Sequence, residues 1–454
     1  MFTTTCFSFR AASTRFLAAA CLLLISCGGT SNNVKGEYLA DSADFTRPPV
    51  RPVIIMTGFG QMKLYDPITR RNVWGTAHTM VQTRWADDLD LPVDPRTARV
   101  GTDRLIARGF AGSRSSVNHA WHLGRVLETY AGYEAADDHL SPLEQEPKSL
   151  YRLSYDFRLS ATDNAGHLDR FIEEIRQVHH NPSLQVDLVT HSLGGIVALT
   201  YLKIGTAALD DPSRWQEGSM RAASKIRNAV LLAAPQEGTV DAFRVMVQSE
   251  RFALRVLLPE WSALFPSLVE ILPSDGRVLI AEDGSLIEGS LWNVATWRQL
   301  ELSIFNPSIR ERMIERTSLE EYQIHTLAFE KLLHRGQLLR KALQRPIPAG
   351  IGMEIIASDC VPTTRRVLLR QDRSLAFYRD ELKPSEATLA SRMFEPGDGS
   401  ITVASATAGR PENASLVCDG HQGMALDPSV HRAIIRTLDA GRPGVSGSMM
   451  NHVH

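Results

Sequence analysis

A strand, a helix and a second strand follow one another within residues 150–189, and this pattern limits the folds open to the chain more than any other feature. Apolar residues recur at helical spacing over 164–180, with charged residues between them, which predicts an amphipathic helix. Residues 150–155 and 184–189 have the composition of buried strands. Two strands joined through one helix pair in parallel, with a right-handed crossover.

The same alternation continues toward the C-terminus. An apolar helix over 196–202, a strand over 226–233 and a further strand over 351–358 predict an α/β fold with an open, mostly parallel sheet and helices on both faces. Two long stretches, 62–146 and 236–349, interrupt the alternation. We expect them to be insertions that form a cap over the sheet.

The segment Val-Thr-His-Ser-Leu-Gly-Gly at 189–195 joins a predicted strand to a predicted helix. Such a turn is typical of a nucleophile elbow, which lifts a serine hydroxyl to the edge of the sheet and needs small neighbours. Ser192 is therefore the candidate nucleophile, and Gly194 and Gly195 supply the small residues. Thr190 stands where the usual motif has glycine, which leaves the geometry of the turn open. The alternative is a serine at an ordinary helix N-terminus.

A serine nucleophile needs a histidine base and a carboxylate that orients the base, and on such folds the acid precedes the histidine. Asp398 lies in a turn bracketed by glycines, and His421 lies among small residues before a predicted terminal helix. They are the candidate acid and base. Two alternatives stay open: Asp359, at a predicted strand end, and His431, which falls in the terminal helix and is expected at the surface.

Negative charge on the attacked carbonyl must be met by backbone amides that already point toward it. The amide of Leu193, directly after the nucleophile, is one candidate for this oxyanion hole. The apolar run at 53–56 predicts a further buried strand, and the glycine turn that follows it contains Phe59. The amide of Phe59 is the other candidate, unless that turn only reverses the chain. Because no His-Glu-x-x-His, Cys-x-x-Cys or clustered acidic pattern occurs, we expect no metal and no cofactor.

The first residues have the features of an export signal. Arg10 and Arg15 precede an apolar run over 16–26, which is shorter than the about 20 residues of a bilayer-spanning helix. The run ends in Leu-Ile-Ser-Cys-Gly, which resembles the lipobox of bacterial lipoproteins and makes Cys27 the expected site of cleavage and lipidation. Gly28, which is not aspartate, indicates the outer membrane for such proteins. The alternative is a plain signal peptide.

These features divide the chain into a signal peptide at 1–26, a flexible tether at 27–51 and a folded domain at 52–450. We expect an exported protein that is anchored by lipid to the bacterial cell envelope. An oxidising compartment favours a disulfide between Cys360 and Cys418, the alternative being two buried thiols.

Together, the segments resemble the lecithin:cholesterol acyltransferase family of α/β-hydrolases. The matching pieces are 52–60, the Ser-Tyr-Asp-Phe-Arg-Leu run at 154–159, 191–195, Trp261 with Leu-Phe-Pro-Ser at 264–267, 360–364, 397–400, and His421 with Met424. The resemblance implies an α/β-hydrolase fold, a disulfide between Cys360 and Cys418, and esters with long acyl chains that enter through a mobile lid. Thr190, Phe157 where Trp is frequent, and Ser400 where Thr is usual depart from the family pattern.

The chain is therefore predicted to be a lipid-anchored serine esterase that acts on phospholipid or another lipid ester through an acyl-enzyme on Ser192. Water as acceptor would make it a lipase or phospholipase, and an alcohol such as a sterol would make it an acyltransferase. The alternatives are a catalytically silent lipoprotein that binds lipid or a partner, and an esterase for small esters. With 49 Lys and Arg against 51 Asp and Glu, nucleic acid is not an expected partner.

Overall fold

The computed structural model describes residue 49 and residues 51–82, 86–112 and 119–439. The predicted signal peptide, Cys27 and nearly all of the tether lie outside the described residues. Within the described part of the chain, no helix combines the length and the apolar character needed to cross a bilayer.

Six strands form one parallel sheet in the order β16-β11-β7-β6-β1-β5. The described strands are, in chain order, β1 (Val53–Met56), β2 (Met62–Asp66), β3 (Arg71–Trp74), β4 (Ile106–Phe110), β5 (Leu150–Arg152), β6 (Val186–His191), β7 (Ile226–Leu232), β8 (Glu250–Phe252), β9 (Arg255–Leu257), β10 (Leu279–Ile280), β11 (Gly352–Ser358), β12 (Val361–Thr364), β13 (Val367–Leu369), β14 (Leu375–Ala376), β15 (Phe394–Gly397) and β16 (Ser415–Val417). The predicted parallel sheet is thereby confirmed.

Two groups of helices flank this sheet. The described helices are α1 (Ala77–Met80), α2 (His119–Tyr130), α3 (Ala161–Val178), α4 (Leu193–Ile204), α5 (Trp215–Ala223), α6 (Val240–Val247), α7 (Pro259–Ser262), α8 (Pro266–Glu270), α9 (Val294–Gln299), α10 (Pro307–Arg316), α11 (Leu319–Leu343), α12 (Ala390–Met393), α13 (Val403–Ala406) and α14 (Pro428–Asp439). Helices α2 and α14 pack on each other and on β1, β7 and β11, whereas α3, α5 and α11 surround α4. The predicted α/β arrangement is confirmed.

Helix α4 is buried along its whole length. A helix that is apolar on all sides needs cover on all sides, which the sheet and helices α3, α5 and α11 provide. Lys203 is the one basic residue in its last turn, and its buried amine donates to the carbonyl of Leu343 at the end of α11. The helix that follows the candidate nucleophile is thus held firmly against the sheet.

The register of the sheet brings two functional turns together. Met56, the last residue of β1, is paired with Thr190 on β6, and His191 is paired with Leu232 on β7. Because carboxyl ends of parallel strands share one edge, the turn after β1 and the turn after β6 lie side by side. Strands β1 and β6 both lie inside the sheet and are fully buried, so this edge has a rigid base.

Element boundaries differ from the predicted ones by a few residues. The predicted strand over 150–155 ends at Arg152, because the chain then leaves the sheet and the Tyr155 hydroxyl donates to the carbonyl of Thr57. The predicted helix over 164–180 begins earlier, at Ala161, where the Ser160 hydroxyl caps it.

In their described parts, the two predicted insertions add no strand to the six-stranded sheet. The first contains the antiparallel sheet β3-β2-β4 and helix α2, and the second contains helices α6 to α11 with the hairpin β8-β9. Arg158, which follows β5 and is fully buried, pairs with Asp156 at 2.7 Å and with Asp103 of the first insertion at 2.8 Å. This network joins the first insertion to the sheet. Whether the insertions act as a cap stays a prediction.

Candidate active site

Ser192 lies in the turn between β6 and α4, and its backbone torsions are ones that residues other than glycine rarely adopt. Its φ is 56° and its ψ is -125°. Its amide donates to the carbonyl of Leu232 and its carbonyl accepts from the amide of Gly195, each at 2.9 Å. Such a conformation costs about 1–3 kcal/mol and is concentrated at functional sites. The turn has the geometry of a nucleophile elbow.

Close packing around this turn explains why glycine occupies two positions near the serine, 58 and 195. A Cβ atom on Gly58 would lie 2.8 Å from the Cβ of Ser192, and one on Gly195 would lie 2.4 Å from the Cβ of Ala234. Both distances are shorter than non-bonded carbon atoms tolerate. Glycine at position 58 therefore lets the turn after β1 approach the serine, and glycine at position 195 lets the start of α4 approach Ala234, which follows β7.

Thr190, the departure from the usual motif, fits without disturbing the turn. Its buried hydroxyl donates to the carbonyl of Val230 at 2.8 Å, so that its polar atom is satisfied inside the sheet. Its Oγ1 also lies 3.4 Å from the place of a Cβ on Gly195. Thr190 therefore borders the space that Gly195 leaves open, next to the Cβ of Ala234.

The structure brings together the three side chains that were predicted as nucleophile, base and acid. His421 Nε2 lies 3.1 Å from Ser192 Oγ, and His421 Nδ1 lies 2.7 Å from Asp398 Oδ2. The His421 amide also donates to the carbonyl of Asp398 at 2.8 Å. One ring nitrogen therefore faces the hydroxyl and the other faces the carboxylate, which is the arrangement that a serine-based acyl transfer requires.

Backbone donors hold the Asp398 carboxylate in place. Its Oδ1 accepts from the amides of Ser400 at 2.8 Å and Ile401 at 2.6 Å, which leaves Oδ2 for the histidine. Gly399 has a φ of 94°, so glycine suits the centre of this turn. The alternative acid, Asp359, is exposed after β11.

The charges around His421 favour its protonated form. Burial acts to lower the pKa of His421, but the charge of Asp398 and its hydrogen bond, together with the charge of Asp241, raise that pKa above the usual value of histidine. A histidine that is stabilised as a cation accepts a proton from serine more readily.

A disulfide joins Cys360 to Cys418, with 5.2 Å between their Cα atoms, which confirms the predicted pair. Cys360 follows β11 and Cys418 follows β16. The covalent loop encloses Asp398 and ends three residues before His421. The bond therefore constrains the segment that carries both proposed partners of Ser192.

The two predicted oxyanion residues flank the serine. Leu193 is the first residue of α4, where backbone amides have no partner within the helix. A Cβ on Gly58 would lie 3.1 Å from Ser192 Oγ, so the turn that contains Phe59 approaches the hydroxyl closely. The assignment of these amides to an oxyanion stays a prediction.

Aromatic side chains pack around the turn after β1, and we call them the aromatic cluster. The cluster consists of Phe59, Trp74, Phe157, Phe252 and Phe265. The Phe59 and Phe157 ring centroids are 4.8 Å apart. Trp74 Nε1 donates to the carbonyl of Gly60 at 2.8 Å, so the cluster also fixes the turn itself. The surroundings of the predicted oxyanion site are therefore strongly apolar.

Two buried histidines beside the site were not predicted. His191 Nε2 lies 3.0 Å from the carbonyl oxygen of His421, and His119 Nε2 lies 2.9 Å from that of Gln422. Their partners are main-chain atoms far away in sequence, so no local pattern reveals the contacts. His431, expected at the surface, is instead buried, because α14 turns it inward and its Nε2 donates to the carbonyl of Ala425.

The described residues contain no group of three or more His, Cys, Asp or Glu side chains that could hold a metal ion.

Comparisons with known proteins agree with this fold. The crystal structure of the Tle4–Tli4 complex contains a chain that is 13% identical, aligns over 86% of this chain and 99% of its own length, and gives a TM-score of 0.50. At that identity the similarity bears on the fold alone. Phospholipase PlaB from Legionella pneumophila aligns over 51% of this chain and 39% of its own, with 12% identity and a TM-score of 0.23, and nothing is inferred from it. A sequence search of curated proteins finds no match.

A sequence model of the lecithin:cholesterol acyltransferase family matches residues 70–344, which is more than half of the chain. The matched region includes Ser192 and ends before Asp398 and His421. The region agrees with the resemblance drawn from short sequence segments. The chain belongs to the lecithin:cholesterol acyltransferase family.

Proposed function

We propose that the protein is a serine-dependent lipid acyl hydrolase or acyltransferase. The observation that carries this proposal is the chain of contacts from Asp398 through His421 to Ser192, at 2.7 Å and 3.1 Å. Family membership supports lipid acyl chemistry in general. The backbone torsions of Ser192 in the elbow and the raised pKa of His421 support Ser192 as the nucleophile of this protein.

In the proposed mechanism, His421 Nε2 removes the proton of Ser192 Oγ while that oxygen attacks the acyl carbonyl carbon. The amides of Leu193 and Phe59 stabilise the negative charge on the carbonyl oxygen. Asp398 orients His421 and stabilises its cation, and it stays unprotonated. His421 then gives its proton to the leaving alcohol, which yields an acyl-enzyme on Ser192.

The second half of the reaction decides the product. A water or an alcohol gives its proton to His421 and attacks the acyl carbonyl carbon. The bond between that carbon and Ser192 Oγ then breaks, His421 returns the proton to Ser192 Oγ, and a fatty acid or a new ester leaves. Both outcomes use the same residues, and they differ in how well the site excludes water. The aromatic cluster supports an apolar acyl chain as the group transferred, because its rings border the proposed oxyanion turn.

Vesicles of phospholipid with labelled acyl chains test this proposal, with and without added sterol or diacylglycerol. The proposal predicts a labelled fatty acid, a labelled sterol ester or a labelled triacylglycerol with wild-type protein and none with Ser192→Ala. Fatty acid alone would identify a hydrolase, and a labelled ester would identify an acyltransferase. Loss of all products in both proteins would favour a silent lipid-binding lipoprotein or an esterase for small esters.

We further propose that Cys27 anchors the protein to the outer membrane through covalent lipid. The proposal rests on the sequence of residues 10–28, which lie outside the described residues. Mass spectrometry of the N-terminal peptide from membranes should find lipid on Cys27. A Cys27→Ala variant that accumulates as the uncleaved precursor or as soluble protein would agree with the proposal. An unmodified Cys27 in the wild type would contradict it.

A further inference from the structure

We propose that His119 and His191, which we call the histidine clamp, position His421 for proton transfer by holding the backbone of its loop. The inference rests on the proposed function, because it gives His421 the role of base. The clamp residues do not touch the reacting atoms that we assign. They are positioning residues, and they act through the peptide groups of His421 and Gln422.

The hydrogen bonds of the clamp have a defined direction. A carbonyl oxygen only accepts, so His191 Nε2 carries the proton that it shares with the His421 carbonyl, and His119 Nε2 carries the one shared with Gln422. The two bonds measure 3.0 Å and 2.9 Å. Burial lowers the pKa of His119 to about 4 and that of His191 well below its usual range, so both rings are neutral near pH 7.

The two Nδ1 atoms complete the packing of the rings. They lie 3.1 Å apart, and the ring centroids of His119 and His191 are 4.2 Å apart. A hydrogen bond between the two Nδ1 atoms would need one ring to be a cation, which burial disfavours, so the clamp rests on the two Nε2 bonds. The Gln61 amide nitrogen lies 3.0 Å from His119 Nδ1 and is placed to donate to it.

The clamp connects every part of the proposed site. His191 directly precedes Ser192, and His119 is the first residue of α2 in the first insertion. Gln61 follows the turn that holds Phe59, and its amide also donates to the Gln422 side chain at 3.3 Å. The segments that carry the nucleophile, the oxyanion turn and the base therefore share one polar network, which is buried at the two histidines and exposed at Gln422.

This network holds the carbonyl group of His421, whereas Asp398 contacts its amide and its ring. The His421 amide donates to the Asp398 carbonyl, while its own carbonyl accepts from His191. With both ends of this residue held, the ring has little freedom to drift from Ser192 Oγ. Misplacement of a reacting group by about 1 Å can reduce the rate on the order of 10²-fold.

The contacts do not define a second ligand site. The clamp residues are buried, His119 at 0% and His191 at 1% exposure, and their Nε2 atoms already donate to carbonyl groups. A role in holding the loop uses every one of these contacts. The role can be separated from simple packing because asparagine and glutamine each reproduce a different ring nitrogen.

Variants at His191 provide the test, since the amide nitrogen of Gln can occupy the place of Nε2 and that of Asn cannot. His191→Asn should reduce kcat and the rate at which a fluorophosphonate probe labels Ser192, each on the order of 10²-fold, with KM unchanged. His191→Gln should restore most of both rates. His119→Asn and His119→Gln form a second pair, which decides the matter if a His191 variant does not fold.

His179→Asn is the matched control, because His179 Nε2 also lies 3.0 Å from a main-chain carbonyl, that of Lys148, at the end of α3. It should lose stability without loss of kcat. Folded asparagine variants with wild-type kcat and labelling rate would overturn the clamp alone. If kcat and the labelling rate instead fall equally in the Asn and Gln variants, in proportion to a lower melting temperature, the histidines act only through packing. That result would also overturn the clamp. Failure of the probe to label wild-type Ser192 would overturn the proposed function as well.

Discussion

At the scale of single residues, opposing influences act on the pKa of the His421 ring. Burial favours its neutral form, and the carboxylates of Asp398 and Asp241 favour its cation, with the carboxylates prevailing. Ser400 links the two acids, because its amide donates to Asp398 at 2.8 Å and its hydroxyl donates to Asp241 at 2.7 Å. The proposed base is thus tuned by a second carboxylate that the sequence pattern does not indicate.

Replacement of this second carboxylate should shift the pH dependence. His421 must be neutral to accept the serine proton, so activity falls as pH drops through its pKa. Asp241→Asn keeps an acceptor for Ser400 and removes one charge that raises this pKa. The acid limb of kcat/KM against pH should therefore move to lower pH, with the plateau retained. An unchanged limb would contradict the influence of Asp241.

The choice of acid can be tested by a matched pair of variants. Asp398→Asn should reduce kcat by roughly 10⁴-fold, because the amide favours the wrong tautomer of His421. Asp359→Asn, which changes an exposed carboxylate after β11, should keep the wild-type rate. Steady-state kinetics on the same lipid ester compares them, and a larger loss at Asp359 would reverse the assignment.

The residues that were predicted from sequence share one property, which is a local pattern. Ser192 follows from a strand, a turn and glycines, and Asp398 and His421 follow from their turns and their order along the chain. The contacts of His119 and His191 depend on loops that meet only in the folded chain, so no local pattern encodes them. His431 was expected at the surface because the side of α14 that packs on the sheet was not deduced from the sequence.

At the scale of elements, the joint between β6 and α4 depends on close approach of backbone and side chain. Helical periodicity and strand composition were sufficient to predict the elements on both sides. Their ends were not predictable to the residue, because caps and contacts such as that of Tyr155 with the Thr57 carbonyl decide them. The fit of Thr190 likewise depends on its contact with Val230 in the neighbouring strand.

Two glycine substitutions should have opposite effects on stability. Gly195→Ala places a Cβ 2.4 Å from that of Ala234 and should lower the free energy of unfolding by about 1–3 kcal/mol. Gly166→Ala, in helix α3, meets only Arg170 Nη1 at 3.7 Å and should raise it by about 0.5–1 kcal/mol. Urea unfolding of both variants measures the difference, and equal midpoints would contradict the packing described at α4.

At the scale of the whole molecule, the carboxyl edge of the sheet gathers residues that are far apart in sequence. Ser192 and His421 are separated by 229 positions, and they meet because β6 and the loop after β16 end on the same edge. The disulfide between Cys360 and Cys418 holds the outer end of this edge. The α/β fold could be predicted because the strands and helices alternate, whereas the internal structure of the insertions lacked such a repeat.

Loss of the disulfide should destabilise the whole domain. Closure of a loop with a separation of 58 residues contributes about 4 kcal/mol in the chain-entropy estimate. The double variant Cys360→Ala/Cys418→Ala should therefore melt at a lower temperature, and reductant should lower the melting temperature of the wild type only. Activity should fall with it, because the loop carries Asp398. If reductant also lowered the melting temperature of the double variant, its effect on the wild type could not be assigned to this disulfide.

The central claim is that acyl transfer passes through Ser192. The purified full chain is mixed with phospholipid that carries a labelled acyl chain, quenched in acid and digested, and the peptide containing Ser192 is analysed by mass spectrometry. The account predicts a labelled acyl ester on Ser192 in the wild type, no adduct in Ser192→Ala, and product formation reduced by roughly 10⁴-fold or more in that variant. Wild-type rates of product formation by Ser192→Ala would contradict the account.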